Sequence, residues 1–289
     1  MKHSRHDINA VKLSAIVATF ARTSELRTLF DSLIAQTLRP CEVIVVDQNE
    51  DNRLAPIIHE FNGELRIVHL HIKKQVSLSR ARNIGIDHAA GQYCIFPDDD
   101  CWYPNSLFER MMAVIEAKKV DIVSGRCAND AGEDVNGNFS SEAKFVSHSS
   151  VWDTQIEWMV VAARSCLAAL DGYDVDIGVG GKYGSCEGQD LSLRAIKKGY
   201  RQFYDPTLTG RHLPVMRTGN LALDRKKAYN YGVGMGYVLR IHGYSRLTFF
   251  RAILRPSVKA ILLAMMFQIE RSKISASVVS GRWKGFHFE

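Results

Sequence analysis

Two short apolar runs separated by one amphipathic segment constrain this chain more than any other feature. Leu13 to Phe20 (LSAIVATF) and Glu42 to Val46 (EVIVV) lack the alternation of a half-exposed strand. Both read as strands covered on two faces. Between them, after a polar turn at 21–24, Glu25 to Gln36 places Leu26, Leu29, Phe30, Leu33 and Ile34 at i, i+3, i+4, i+7 and i+8. That is the apolar stripe of a helix lying on a sheet. Strand, helix, strand in this order predicts a right-handed parallel crossover. Leu65 to Leu70 continues as a third strand by alternation, and Ser79 to Ala90 as a second helix carrying Arg80, Arg82 and Asn83. Tyr93 to Phe96 is a fourth strand, ended by Pro97, which cannot donate to a central ladder. The expectation is an α/β protein with a mostly parallel sheet flanked by helices. Its strands would present Thr19, Asp47 and Asp98 at one edge.

Asp98, Asp99 and Asp100 follow Pro97 directly. Adjacent carboxylates repel one another, a cation relieves that repulsion, and the carboxyl edge of an open α/β sheet is where ligands bind. The plainer alternative is a solvated acidic turn before a helix, with Asp100 or Asn105 as its N-cap. Ile95 and Phe96 on one side and Trp102 and Tyr103 on the other hold the turn against the fold, which favours a site.

Farther along, Ser106 to Lys118 reads as a helix and Val120 to Gly125 as a strand, followed by a long Gly, Asn, Ser and Asp-rich loop, Arg126 to Ser150, expected to cover a site. Ala162 to Leu170 reads as helix and Gly172 to Gly188 as irregular. Leu191 to Lys198 forms a helix stopped by Gly199, and Arg201 to Tyr204 a strand closed by Asp205 and Pro206. From Asp224 onward arginines and lysines accumulate on a background of Tyr, Phe, Leu and Met. Phe249, Phe250, Ile253 and Leu254 recur at helical spacing until Pro256, and the apolar segment Val258 to Ile269 is shorter than the ~20 residues that span a bilayer. This tail is expected to lie on a membrane surface or to cap the domain. Lys and Arg (37) outnumber Asp and Glu (31), a balance suited to a phosphorylated ligand or an anionic membrane surface. Six scattered cysteines without a CxxC pair imply reduced thiols. The N-terminal MKHSRHDINAVK lacks the apolar core of a secretion signal, so a cytoplasmic protein is expected.

The segments VATFART, EVIVVD, LSRARNIGID, FPDDDCWYP and EGQDLSLRAIKKGYRQFYDP, in that order, resemble the family 2 glycosyltransferases. These are inverting enzymes of the GT-A fold, a Rossmann-like architecture, that transfer a sugar from a nucleotide diphosphate donor. The resemblance runs from about Leu13 to His212. It implies a GT-A catalytic domain over 1–222, with a nucleotide-sugar half at about 11–125 and an acceptor half at about 126–222, and a helical appendage over 223–289. By that resemblance Thr19, Phe20 and Arg22 hold the nucleotide and Asp47 meets the base. Arg82 and Asn83 match the Arg-Asn pair ahead of the metal motif, and Arg80 joins them on the donor side. Asp98 and Asp100 match the ends of the DxD motif, implied to bind the ribose and a divalent cation, Mn2+ or Mg2+; Asp98 also counts as a metal ligand and Asp99 as a donor contact. His212 stands where some members complete the metal shell.

The catalytic base is where the chain departs from the pattern. Many members carry Glu-Asp ahead of a further Asp and a helix, whereas Cys186-Glu187-Gly188-Gln189-Asp190 places glycine at the usual base position. Glu187 is then the expected base and Asp190 the alternative, unless Asp190 only caps the helix after it. Trp152, Glu157 and Trp158 fall where an acceptor would approach, and an aromatic face suits a sugar ring or lipid carrier, as core packing also would. Gly281 to Phe286, GRWKGF, matches a basic closing motif of membrane-facing transferases. The implied partners are a nucleotide diphosphate sugar, a glycan or glycolipid acceptor and an anionic membrane on its inner face, with no nucleic acid. A silent nucleotide-sugar binding protein is the competing class, favoured only by Gly188. A nucleotidyltransferase would open on a glycine-rich phosphate loop, and VATFARTSE has no glycine.

Overall fold

Strand β1 (Leu13–Thr19) runs parallel to β2 (Glu42–Asp47), in register from Ser14 opposite Glu42 to Thr19 opposite Asp47. Helix α1 (Ser24–Ile34) crosses between them and buries Leu26, Leu29, Phe30 and Leu33. β3 (Ile67–His71) extends the sheet beyond β2, and β4 (Tyr93–Ile95) lies on the other side of β1, both parallel. Side chains alternate along each strand. Leu13, Ala15, Val17, Val43 and Val45 face a core shared with α1 and with Phe108 of α4 (Leu107–Lys118). Ile16, Ile44 and Val46 face a second core with Ala81 and Ile86 of α3 (Leu78–His88). Gly85 permits that packing, because a Cβ there would overlap Ile16 Cγ2. A short helix not foreseen from the sequence, α2 (Ala55–Phe61), precedes β3.

The structure is a computed structural model that describes residues 12–212 and 218–287. Among them the sheet has nine strands: β3, β2, β1, β4, β8 (Val160–Ala163), β6 (Ile122–Cys127), β9 (Gln202–His212) and β5 (Cys101–Trp102) in that order, with β7 (Lys144–Phe145) on β9. Two expectations from the sequence are corrected here. The apolar stretch from Ala162 is not all helix: β8 (Val160–Ala163) pairs antiparallel with both β4 and β6 (Ile122–Cys127), and α5 (Arg164–Ala169) starts only afterwards. Two β-branched valines at its start suit the paired position between central strands. Nor does the last strand stop at Asp205-Pro206: β9 spans Gln202–His212. Its pairing with β6 jumps from Ser124 opposite Tyr204 to Arg126 opposite Thr209, so Pro206 lies in a bulge that needs no ladder hydrogen bond. The bulge carries the strand on to His212, which pairs opposite Cys101 of β5 (Cys101–Trp102). Helix α6 (Glu187–Lys197) likewise begins earlier than its apolar periodicity predicts.

These residues fall into two compact units. One takes in 12–76, 80–173 and 191–212 and holds the whole sheet; the other takes in 77–79, 174–190 and 218–287. The C-terminal helices thus share a unit with 174–190, a segment the sequence reading assigned to the catalytic domain. In that second unit α7 (Leu221–Ile241) is capped by the Asn220 side chain and α8 (Arg246–Met265) by Ser245. Helix α9 (Ile269–Phe286) lies against α7 at near backbone contact. A Cβ on Gly281 would overlap the Tyr229 carbonyl, and one on Gly285 the Val233 carbonyl. Phe249 of α8 stacks on Phe286 of α9, ring centroids 4.0 Å apart. Pro256 does not break α8, contrary to expectation; it sits within a continuous helix whose packing on α9 outweighs the lost hydrogen bond. No helix among the described residues is long and apolar enough to cross a membrane.

Candidate active site

β2 and β4 flank β1 on opposite sides, so the order of travel through the sheet reverses at β1 and leaves a crevice at the carboxyl ends of these strands. Thr19, the last residue of β1, donates its hydroxyl to Asp99 Oδ2 at 2.7 Å. Arg22, three residues on, donates to Asp99 Oδ1 at 2.7 Å and also pairs with Asp100. Desolvation raises the Asp99 carboxyl to about 6, against the pull of Arg22 and Thr19. Arg22 is raised, because Asp99 and Asp100 outweigh its own desolvation. Phe20 between them is 43% exposed and open to a ligand. Ala21 holds a left-handed conformation (φ 63°) and donates its N–H to Asn49 Oδ1.

Asp47 ends β2 with its side chain fully buried. Its Oδ1 accepts from the Asn49 N–H and Nδ2, at 2.9 and 2.8 Å, and Oδ2 lies 2.9 Å from His69 Nε2. His71 stacks parallel to His69 and donates from Nε2 to the Asn49 carbonyl. The sequence reading missed both histidines. The available signal was register: Asp47 stands opposite His71 in the β2–β3 pair.

The acidic segment 98–100 is organised by contacts distant in sequence. Arg82 is buried and donates to Asp98 Oδ1 at 3.1 Å, with its guanidinium over the Tyr173 ring. Asn83 clamps the backbone of Tyr173, donating to its carbonyl and accepting from its N–H, both at 2.8 Å. Its amide therefore positions the 172–173 turn, and Arg80 beside it is exposed. The β5–β9 pairing brings His212 Nε2 to 2.9 Å from Asp100 Oδ1, while Nδ1 meets Asn136 Nδ2 at 3.2 Å. One ligand atom from each of Asp98, Asp100 and His212 falls within 4.8 Å of the others. Desolvation raises the Asp98 carboxyl although Arg82 and His212 oppose it. At Asp100 desolvation acts upward as well, but the His212 hydrogen bond and Arg22 outweigh it and the carboxyl is lowered. Two carboxylate oxygens and one imidazole nitrogen, converging and oriented by Arg82 and Asn136, fit a divalent cation of the Mn2+ or Mg2+ class.

Of the three acceptor candidates, Trp158 is corrected. It is 2% exposed, its carbonyl accepts from the Tyr103 hydroxyl, and its ring lies 5.6 Å from that of His212. It backs His212 and offers no open face to a sugar. Trp152 and Glu157 are half-buried on short 3-10 turns, Val151–Asp153 and Glu157–Met159.

In the second unit, Glu187 is the first residue of α6 and Asp190 lies one turn inside it, which removes the reading of Asp190 as a helix cap. Both are buried, at 5% and 1% exposure. Asp190 Oδ1 lies 2.9 Å from Nε2 of His242 on α7, a partner that no local sequence pattern announces. Gly178, at φ 112°, leaves room for the Glu187 carboxyl: a Cβ there would come within 3.0 Å of Glu187 Cδ and 2.7 Å of Ser79 Oγ.

Comparison with known proteins places this geometry in context. The family model described as Glycosyl transferase family 2 matches residues 14–159. Over 115 residues the chain is 30% identical to the glycosyltransferase GlyA of Streptococcus pneumoniae serotype 4, a match covering 39% of this chain and 16% of that protein. Over 129 residues it is 32% identical to the uncharacterized glycosyltransferase YibD of Escherichia coli, covering 42% and 36% respectively. The chain thus matches well under half the length of either relative. Among solved structures, the mannosyltransferase PcManGT from Pyrobaculum calidifontis, in complex with GDP-Man and Mn2+, superposes with a TM-score of 0.68 at 16% identity, covering 96% of this chain and 87% of that one. S. aureus TarS 1-349 in complex with UDP-GlcNAc gives 0.60 at 16% identity, covering 96% and 93%. At such identity the likeness is one of fold.

Proposed function

The chain belongs to glycosyl transferase family 2 and is a glycosyltransferase of the GT-A fold; from that premise we propose a metal-dependent inverting enzyme that moves a sugar from a nucleotide diphosphate donor to a polysaccharide or lipid-linked glycan acceptor at the cytoplasmic membrane face. The observation that carries the proposal is the convergence of Asp98, Asp100 and His212 beside the carboxyl ends of β1 and β4. The solved relative that holds GDP-Man and Mn2+ supports it. In this reading those three residues hold Mn2+ or Mg2+. When bound, such an ion balances the charge of the diphosphate as the glycosidic bond breaks.

The chain's own groups divide the remaining work. Arg22, Arg80, Thr19 and Phe20 bind the donor, Asp99 holds Thr19 and Arg22 in place, and Arg82 orients Asp98. Asp47, its oxygens held by Asn49 and His69, forms the polar floor for the base. Glu187 takes the proton from the acceptor hydroxyl, whose oxygen bonds to the anomeric carbon as the diphosphate leaves from the opposite face, inverting that centre. Asp190, which contacts His242, is the alternative base. Trp152 and Glu157 remain the acceptor-side candidates.

The test is calorimetric titration of GDP- and UDP-sugars with and without Mn2+, followed by turnover of whichever donor binds. Donor binding indifferent to the cation would overturn the metal assignment. Binding without any turnover across acceptors would favour the silent nucleotide-sugar binder, the reading that Gly188 supports.

A further inference from the structure

We infer that the outer face of α8 is an interfacial docking surface that lies in the plane of an anionic bilayer. This rests on the membrane-face reading above and adds the surface responsible for it. Leu247, Phe250, Leu254, Val258, Ile261 and Met265 succeed one another at steps of three and four, and each is between 45% and 71% exposed. Steps of three and four bring successive residues to one side of a helix, so these six form a continuous apolar stripe along its whole length. Phe267, just past the helix end, is 90% exposed. The opposite side of the helix is already occupied, with Phe249 and Leu263 buried and Phe249 stacked on Phe286. The helix is therefore two-sided, and the outward side has the continuity of an interaction surface.

Charge identifies the occupant. Arg251, Arg255 and Lys259 form a second row at steps of four, directly beside the apolar stripe, and all three are exposed. From Arg225 to Ile269 the chain carries eight Lys or Arg residues and no Asp or Glu. A second copy of this helix would set cationic rows near cationic rows with no acid to pair them. A surface of lipid phosphates is complementary to the basic row, while the acyl boundary beneath it accepts the apolar stripe. The absence of a span-length apolar helix among the described residues requires the element to lie along the interface and not through it.

The full chain, Leu254→Glu/Ile261→Glu, and Arg251→Gln/Arg255→Gln/Lys259→Gln are sedimented with vesicles of phosphatidylcholine alone and of phosphatidylcholine with phosphatidylglycerol, at low and high salt. All substituted side chains are exposed, and circular dichroism together with donor titration confirms that each variant is folded. The expected result is strong partitioning of the unaltered chain to the anionic vesicles, reduced by salt and at least tenfold weaker in both variants. The triple variant should also lose most of the salt dependence. If the unaltered chain sediments with anionic vesicles and both variants do so equally, the docking face lies elsewhere: the α8 assignment falls and the membrane reading survives. If the unaltered chain sediments with neither vesicle, both fall. In that event light scattering that shows a dimer converted to monomer by Leu254→Glu/Ile261→Glu would identify the face as a contact between copies.

Discussion

Replacing Glu187 with Gln removes one negative charge from a side chain only 5% exposed and preserves its shape and its fit beside Gly178. Loss of a general base lowers kcat by roughly 10²- to 10⁴-fold, a barrier increase of about 3–5 kcal/mol at 1.36 kcal/mol per decade. Donor affinity and melting temperature should stay near those of the unaltered enzyme, because the donor-side groups are on other elements. Asp190→Asn should behave in the opposite way. The 2.9 Å contact of Asp190 with His242 joins a buried carboxylate to a partly buried imidazole. Loss of a charged hydrogen bond of this kind costs about 1.5–3 kcal/mol, which lowers the melting temperature by several degrees. His242→Gln should reproduce that loss, since it removes the same pair from the other side. Single-turnover kinetics with saturating donor, run beside thermal melts of all three variants, separates a chemical role from a structural one. Should Glu187→Gln keep kcat within about threefold while Asp190→Asn loses two decades or more at an unchanged melting temperature, the reasoning is refuted and Asp190 is the base.

Asp100→Asn should abolish cation-dependent donor binding with the fold retained, as read by calorimetry with and without Mn2+; retained Mn2+ dependence would remove Asp100 from the ligand set. Arg82→Met leaves Asp98 without its orienting partner, and a loss of about 10- to 100-fold in Mn2+ affinity is expected from a Mn2+ titration followed by electron paramagnetic resonance. Gly285→Ala adds a methyl that overlaps the Val233 carbonyl, so overpacking of about 1–3 kcal/mol should exceed the gain of about 1 kcal/mol in helix propensity and lower the melting temperature. Gly63→Ala, where the new Cβ meets nothing within 4 Å, is the control and should be neutral or slightly stabilising.

What the sequence made legible was what local patterning determines. β1 and β2 are buried on both faces, so their apolar runs announce them, and the polar residues ending them fall together once a parallel register is assumed. The trio Asp98, Asp100 and His212 was equally readable as a motif followed by a histidine. Its assembly was not, because His212 reaches Asp100 only through a bulge at Pro206, and that bulge is a property of the β6–β9 pairing. A proline after an aspartate signals a strand end unless a partner strand accommodates the interruption. β8 escaped for a related reason: Val160 to Ala163 runs directly into the helical Arg164 to Ala169, and an apolar run carries no mark of the point where the period changes from two to 3.6. The half-buried partners His69, His71 and His242 act across elements, so only an assumed β2–β3 register could have pointed to the first two and no local pattern to the third. Asn83 shows the converse, since it matches a donor-side motif while its amide holds the Tyr173 backbone.

The C-terminal helices carry this further. The GRWKGF segment resembles a membrane-facing closing motif, and in this fold its two glycines are packing residues. Gly281 and Gly285 lie against the backbone of α7, and Gly232 and Gly236 answer them there, so that a Cβ at any of the four would collide with the opposing helix. A close-packed glycine cannot also face lipid, so those backbone positions are withdrawn from any membrane surface. The exposed apolar side chains instead concentrate on α8, whose inner residue Phe249 is held by Phe286 and Trp283 of that same segment. Periodicity in sequence reports that a helix has an apolar side. Which apolar side is already covered is decided by the neighbouring helix. In α8 both the residues at 249 and 263 and the stripe from 247 to 265 are apolar, and only packing distinguishes the buried set from the set left to meet something else.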